Sequence, residues 1–178
     1  LDFVDAFADP VPSIVISDLF GLPPSERDAL KAWSHDLGAF VLASTDADNR
    51  RSLAAESVRV MCERFQRLVD EHRREPRDDF TQLLLRDGAH LSDSEIVHTL
   101  ILVLFAGHET TASLISSGLM TCLRSPTLLR KLSDKPSLME SAIEEFLRLE
   151  GPVQMVFRLA QVDVEYGGAR IGAGAVSY

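Results

Sequence analysis

Residues 100–111 read Leu-Ile-Leu-Val-Leu-Phe-Ala-Gly-His-Glu-Thr-Thr, a polar knot set into an otherwise oily helix. A helix that is hydrophobic on all sides sits in the middle of a domain. An acid and two hydroxyls at its centre are costly unless hydrogen-bonded. Polar groups kept at such a place are candidates for chemistry. Thr110 is placed to bond back to the carbonyl of Ala106, a contact that bends helices. Gly107 removes a side chain, which lets something flat approach the backbone. A local widening there would free a carbonyl for a water or small ligand, with Glu109 beside it as a proton relay. The alternative is a helix break with satisfied polar groups, and the residues alone leave both open.

The flanks define the element. Ser92 and Glu95 have the spacing of a capping box, and Leu91 can staple onto Ile96. Pro126 forces the end near Arg124. At about 1.5 Å per residue this helix spans roughly 50 Å. Further helices are expected at Pro12 to Phe20, Pro24 to about Leu42, about Arg51 to Glu75, and Asp79 to Asp87. Met61, Phe65, Leu68 and Val69 form the apolar stripe of the third of these. Ser125 is expected to cap a short helix, and Ser137 with Glu140 to box another that ends at Leu149. Gly151-Pro152 stops it. Beyond it the period changes: 153–158, 162–166 and 169–178 read as short strands, with Gly167-Gly168 as a tight hairpin turn. The polar stretches 44–49 and 74–78 are expected to be mobile connections. The expectation is a mainly α, single domain over 1–178, with helices to about residue 150 and a small C-terminal β region at 153–178.

The chain has 178 residues, 46% hydrophobic and 25% charged, a profile suited to one domain with a real core. Its net charge of −9 argues against a nucleic-acid partner. No strictly apolar run approaches the roughly 20 residues that cross a bilayer, and the start has no secretory pattern, so no membrane partner is expected and a cytoplasmic location is. Cys62 and Cys122 lack metal-ligand spacing and read as reduced thiols. Starting at Leu1 and stopping in a strand-like run, the chain reads as an internal piece of a longer protein.

His108-Glu109 invites a zinc reading, but a second histidine four residues on is required and position 112 is Ala. His98 is poorly phased with His108, so no metal ligand set is expected. Gly172-Ala173-Gly174 lacks the third glycine of a dinucleotide loop, since Ser177 stands there, and reads as a strand turn. Glu145 and Arg148 share one helix face at pairing distance, which at a surface is worth little. Arg158 stands among apolar neighbours, where a guanidinium wants an anion.

Taken in order, AGHETT in a long helix, ExxR in a later one, a lone strand arginine and a Gly-Gly hairpin resemble the cytochrome P450 family. The likeness is closest to its soluble bacterial haem-thiolate monooxygenases. The stretch 11–20 followed by GLPPSERD looks like the family's helix pair before the substrate lid. The resemblance implies a partial P450 fold binding haem b, a small organic substrate, and a ferredoxin with its reductase as electron source. Ala106 and Gly107 would lie against the porphyrin. Thr110 and Glu109 match the family's alcohol and acid that deliver protons during oxygen activation, with Thr110 also at the cofactor. Glu145 and Arg148 match a buried structural pair, and Arg158 matches the arginine that holds a propionate. Residues 154–156 would line the substrate pocket, and 44–49 would belong to the lid. The axial cysteine of the family lies in a glycine-rich loop beyond the strands, and nothing like it occurs in this sequence. A haem-free relative that keeps the scaffold as an auxiliary partner is the alternative.

Overall fold

The computed structural model describes residues 1–41, 48–88 and 90–177. Seven α-helices are found among them: α1 Pro10–Phe20, α2 Arg27–Val41, α3 Asp48–Arg74, α4 Phe80–Asp87, α5 Asp93–Arg124, α6 Pro126–Asp134 and α7 Met139–Glu150. A π turn at Val4–Ala8 and 3-10 turns at Pro24–Glu26 and Pro136–Leu138 precede α1, α2 and α7.

Each boundary has a local cause. Gly21 ends α1 in the left-handed region at φ 73°, and a Cβ there would sit 2.2 Å from Asp79 Oδ2. Only glycine fits. Asp79 caps α4 by accepting from the Gln82 amide at 2.9 Å. The expected capping box of α5 is formed: the Ser92 hydroxyl accepts from the Glu95 amide at 3.3 Å, and the Ser92 amide donates to Glu95 Oε2 at 2.8 Å. Ser92→Ala should therefore cost about 1 kcal/mol, read as a lower denaturant midpoint with an unchanged slope. An unchanged midpoint would mean that the box contributes nothing.

Some boundaries differ from expectation. Ser137 does not cap α7, because Pro136–Leu138 winds into a 3-10 turn and Leu138 becomes the residue before the helix, without a side-chain cap. Ser125 precedes α6 without a capping bond from its side chain. α3 begins at Asp48, ahead of the expected Arg51. Of the expected mobile stretch 44–49, residues 44–47 lie outside the described residues.

α5 is the axis. It packs against α1, α2, α3 and α7. By length and composition alone it is long and apolar enough to cross a membrane, but its Ile96, Leu100 and Leu104 are buried in the protein core. These meet Phe20 of α1, Leu30 of α2, and Met61, Phe65 and Leu68 of α3 in one cluster. The stripe read from α3 is thus the stripe that is buried. Phe20 is central: its ring meets Phe65 edge-on at 5.7 Å and stacks on Phe80 at 6.2 Å. α7 crosses α5 where Gly118 leaves room for Phe146, whose Cδ2 lies 3.1 Å from where a Cβ would stand.

The β region is smaller than expected. β1 Arg158–Leu159 pairs antiparallel with β4 Val176–Ser177, and β2 Val164–Tyr166 with β3 Ala169–Ile171. The hairpin turn at Gly167-Gly168 is as read, with φ of 59° and 78°, the left-handed values that such a turn demands. The long strand expected from residue 169 is divided by a turn at Gly174, φ 84°. Residues 153–157 form no strand, since none of the described strands pairs with them, and Val153, Met155, Val156 and Phe157 are exposed.

Candidate functional site

Along α5, Leu102, Ala106 and Thr110 follow one another at four-residue intervals and define one stripe. Leu102 is 62% exposed and Ala106 is exposed, while Thr110 is half-buried. Leu102 and Ala106 thus leave this stripe of the central helix open. The Thr110 hydroxyl donates to the Ala106 carbonyl at 2.6 Å. α5 nevertheless stays α-helical from end to end, so the expected widening is not formed. A carbonyl has two lone pairs and can accept the hydroxyl beside its helical partner.

Gly107 lies where α1 crosses α5. A Cβ on it would meet Ile16 Cδ1 at 3.0 Å. What its missing side chain accommodates here is the crossing of α1 over α5. Ala106 is the small residue on the open stripe.

Glu109 turns off the stripe toward α2 and the start of α1. Its Oε1 lies 2.9 Å from His35 Nδ1 and 3.7 Å from His108 Nδ1. The other nitrogen of each ring points at Asp9. His35 Nε2 and His108 Nε2 both lie 3.2 Å from Asp9 Oδ1, and His108 Nε2 is also 3.1 Å from the Asp9 carbonyl. Lys31 pairs with Asp9 Oδ2. Burial pushes the Asp9 carboxyl up, but the hydrogen bonds and charges of Lys31 and His35 outweigh it and hold the group below the usual carboxylate range. The Asp9 hydrogen bond in turn raises Lys31. His108 is fully buried. A groove of about 630 Å³, lined in part by Lys31, His35, Glu109 and Ser116, opens this cluster to water. No sequence motif announces it, because Asp9 stands 26 residues from His35 and 99 from His108.

The remaining expected residues lie on the surface of the described chain. Glu145 and Arg148 are joined at 2.5 and 2.9 Å, with side chains 52% and 65% exposed. The burial implied by the resemblance is not found, since no described element covers this face of α7. The pair keeps Glu145 below and Arg148 above its ordinary range through the hydrogen bond between them. Arg158 opens β1, exposed, and donates to the Phe157 carbonyl at 3.0 Å. Cys122 is buried on α5 and faces an apolar cavity of about 620 Å³ between α5, α6 and α7. Cys62 is half-buried on α3. Neither thiol stands on the Leu102–Thr110 stripe.

What can such a surface hold? Ala106 offers a small side chain on the open stripe, and Arg158 an exposed guanidinium of a kind that suits a carboxylate. An iron-binding thiolate is not offered there by either described cysteine.

Comparison with known proteins agrees on one family. The model of that family, cytochrome P450, matches residues 41–176. The cytochrome P450 CYP107DY1 of Priestia megaterium is 36% identical over 98% of the chain and 42% of its own length. The biotin biosynthesis cytochrome P450 of Bacillus subtilis is 34% identical over 100% of the chain and 45% of its length. Among solved structures, P450BioI in complex with an acyl carrier protein ligated to hexadec-9Z-enoic acid superposes with a TM-score of 0.89. Its sequence identity is 33%, over 99% of the chain and 46% of that structure. The chain therefore spans less than half the length of the relatives it matches.

Proposed function

The chain belongs to the cytochrome P450 family, and on that premise we propose that the complete protein is a monooxygenase. It would insert one oxygen atom of dioxygen into a small organic substrate in the bacterial cytoplasm. Its electrons would derive from NAD(P)H through a ferredoxin-type partner. The observation that carries this reading is the α5 stripe, where small Ala106 and the Thr110 hydroxyl stand together on an open face with Glu109 adjoining.

Haem b would supply the oxygen-activating redox chemistry when bound. The residues of this chain do the rest. Ala106 leaves room for the ring. Arg158 is suited to hold a propionate, because a guanidinium fork matches a carboxylate. Thr110 presents a hydroxyl that can donate forward once it is released from the Ala106 carbonyl. Glu109, next in sequence and lining the open groove, can resupply that proton, and positioned proton donors of this kind contribute about 10²–10⁴-fold.

The test is spectroscopic. The complete protein, reduced under carbon monoxide, should show the red-shifted Soret band of a thiolate-ligated haem, at one haem per chain. Arg158→Leu should lower haem retention during gel filtration. A complete protein that takes up no haem would overturn the reading and favour a haem-free relative.

A further inference from the structure

The cluster beside the groove has a geometry that proton relay does not require. Both imidazoles are oriented alike, with Nε2 on Asp9 and Nδ1 toward Glu109. We infer that Asp9, His35 and His108 form a binding site for a divalent transition-metal ion of the zinc class, with Glu109 as the carboxylate behind both histidines.

Three observations carry this. The first is spacing. With zinc–ligand bonds of about 2.0–2.1 Å, neighbouring ligands of a tetrahedral site stand about 3.3 Å apart. Asp9 Oδ1 is 3.2 Å from each Nε2, and one ligand atom from each of the three residues lies within 4.8 Å of the others. The second is an unpartnered atom. His108 Nδ1 is buried and lacks a hydrogen-bond partner. As long as His108 carries its proton on Nε2, for the Asp9 carbonyl, its Nδ1 lone pair faces a carboxylate. Metal on Nε2 moves the proton to Nδ1, which then turns a partial positive charge toward Glu109 Oε1, 3.7 Å away. His35 Nδ1, at 2.9 Å from the same oxygen, is within reach to donate to it when its Nε2 holds the metal. A ligating histidine whose other nitrogen donates to a carboxylate is the usual outer-shell arrangement. The third is the division of the carboxylate. Lys31 pairs with Oδ2, while Oδ1 faces both Nε2 atoms. The groove admits a water as fourth ligand. Two imidazoles and one carboxylate select zinc, cobalt or nickel over magnesium or calcium.

This site does not depend on haem or on the proposed oxygenase activity, so it is tested by metal binding alone. Zinc chloride is titrated calorimetrically into the chain, with cobalt(II) as a spectroscopic substitute. The expected result is one zinc per chain and the intense visible bands of tetrahedral cobalt. His35→Ala, whose side chain is half exposed, should weaken zinc at least tenfold with an unchanged far-ultraviolet circular dichroism spectrum. Glu109→Ala should weaken it roughly 10–100-fold. His98→Ala, on an exposed turn of α5 and bonded to Ser94, should change nothing. Absent saturable zinc binding, zinc binding that survives in folded His35→Ala, or a weak octahedral cobalt spectrum in the unaltered chain would each overturn the site.

Discussion

Thr110→Ala in the complete protein is expected to leave haem content and the carbon monoxide spectrum unchanged while lowering product formed per NAD(P)H by about tenfold or more. The lost electrons should appear as hydrogen peroxide. The expectation follows from what the hydroxyl does in the structure. It is the polar atom on the open α5 stripe, and its one hydrogen bond runs to the Ala106 carbonyl at 2.6 Å. Removing it takes nothing from the buried core, because the carbonyl keeps its place in the helix. On the proposed function the cost falls on proton delivery, where a positioned donor contributes about 10²–10⁴-fold. Thr110→Ser retains the hydroxyl and should restore most of the coupling. If peroxide release and product yield were unchanged in Thr110→Ala, Thr110 would have no part in proton transfer. Loss of haem in the same variant would instead assign it to cofactor binding.

The largest effect on stability is expected from Phe20→Ala. The ring is fully buried. It touches Phe65 of α3 edge-on and Phe80 of α4 face-on, so a single side chain joins three helices. Its backbone carbonyl also accepts from Thr81 Oγ1 at 3.1 Å, which fixes the site and limits collapse around a cavity. Deleting a buried phenylalanine costs about 3–5 kcal/mol. For a chain of this length each kcal/mol moves the midpoint by about 2–4 °C, so Tm should fall by roughly 6–20 °C. Phe20→Leu, which refills most of the volume, should lose much less. A drop in Tm of only a degree or two for Phe20→Ala would mean that the aromatic trio is not packed as described.

The sites differ in how far the linear pattern reaches. Helix positions follow from signals within a few residues of one another: the Ser92–Glu95 box, Gly21, Pro126 and the α3 stripe. These are local energies, and tertiary packing reinforced them. The β region was less legible. A strand exists only with a partner strand, and the mostly apolar 153–156 is in none of the described ladders. Gly107 was legible as a small residue, but what it is small for depended on where α1 lies.

The sequence by itself determined the helical scaffold, the membership in a family through AGHETT, ExxR and Arg158, and the hairpin at Gly167-Gly168. Each of these is written in residues that are neighbours along the chain or that repeat at a helical period. Only the tertiary structure decided which face of α5 is open, that Gly107 meets Ile16, and that Asp9, His35 and His108 converge behind Glu109. Those residues are separated by tens of positions, and no periodicity links them. Their meeting is fixed by the burial of Phe20, Leu30, Phe65 and Leu104 in one core, which sets how α1 and α2 lie across α5.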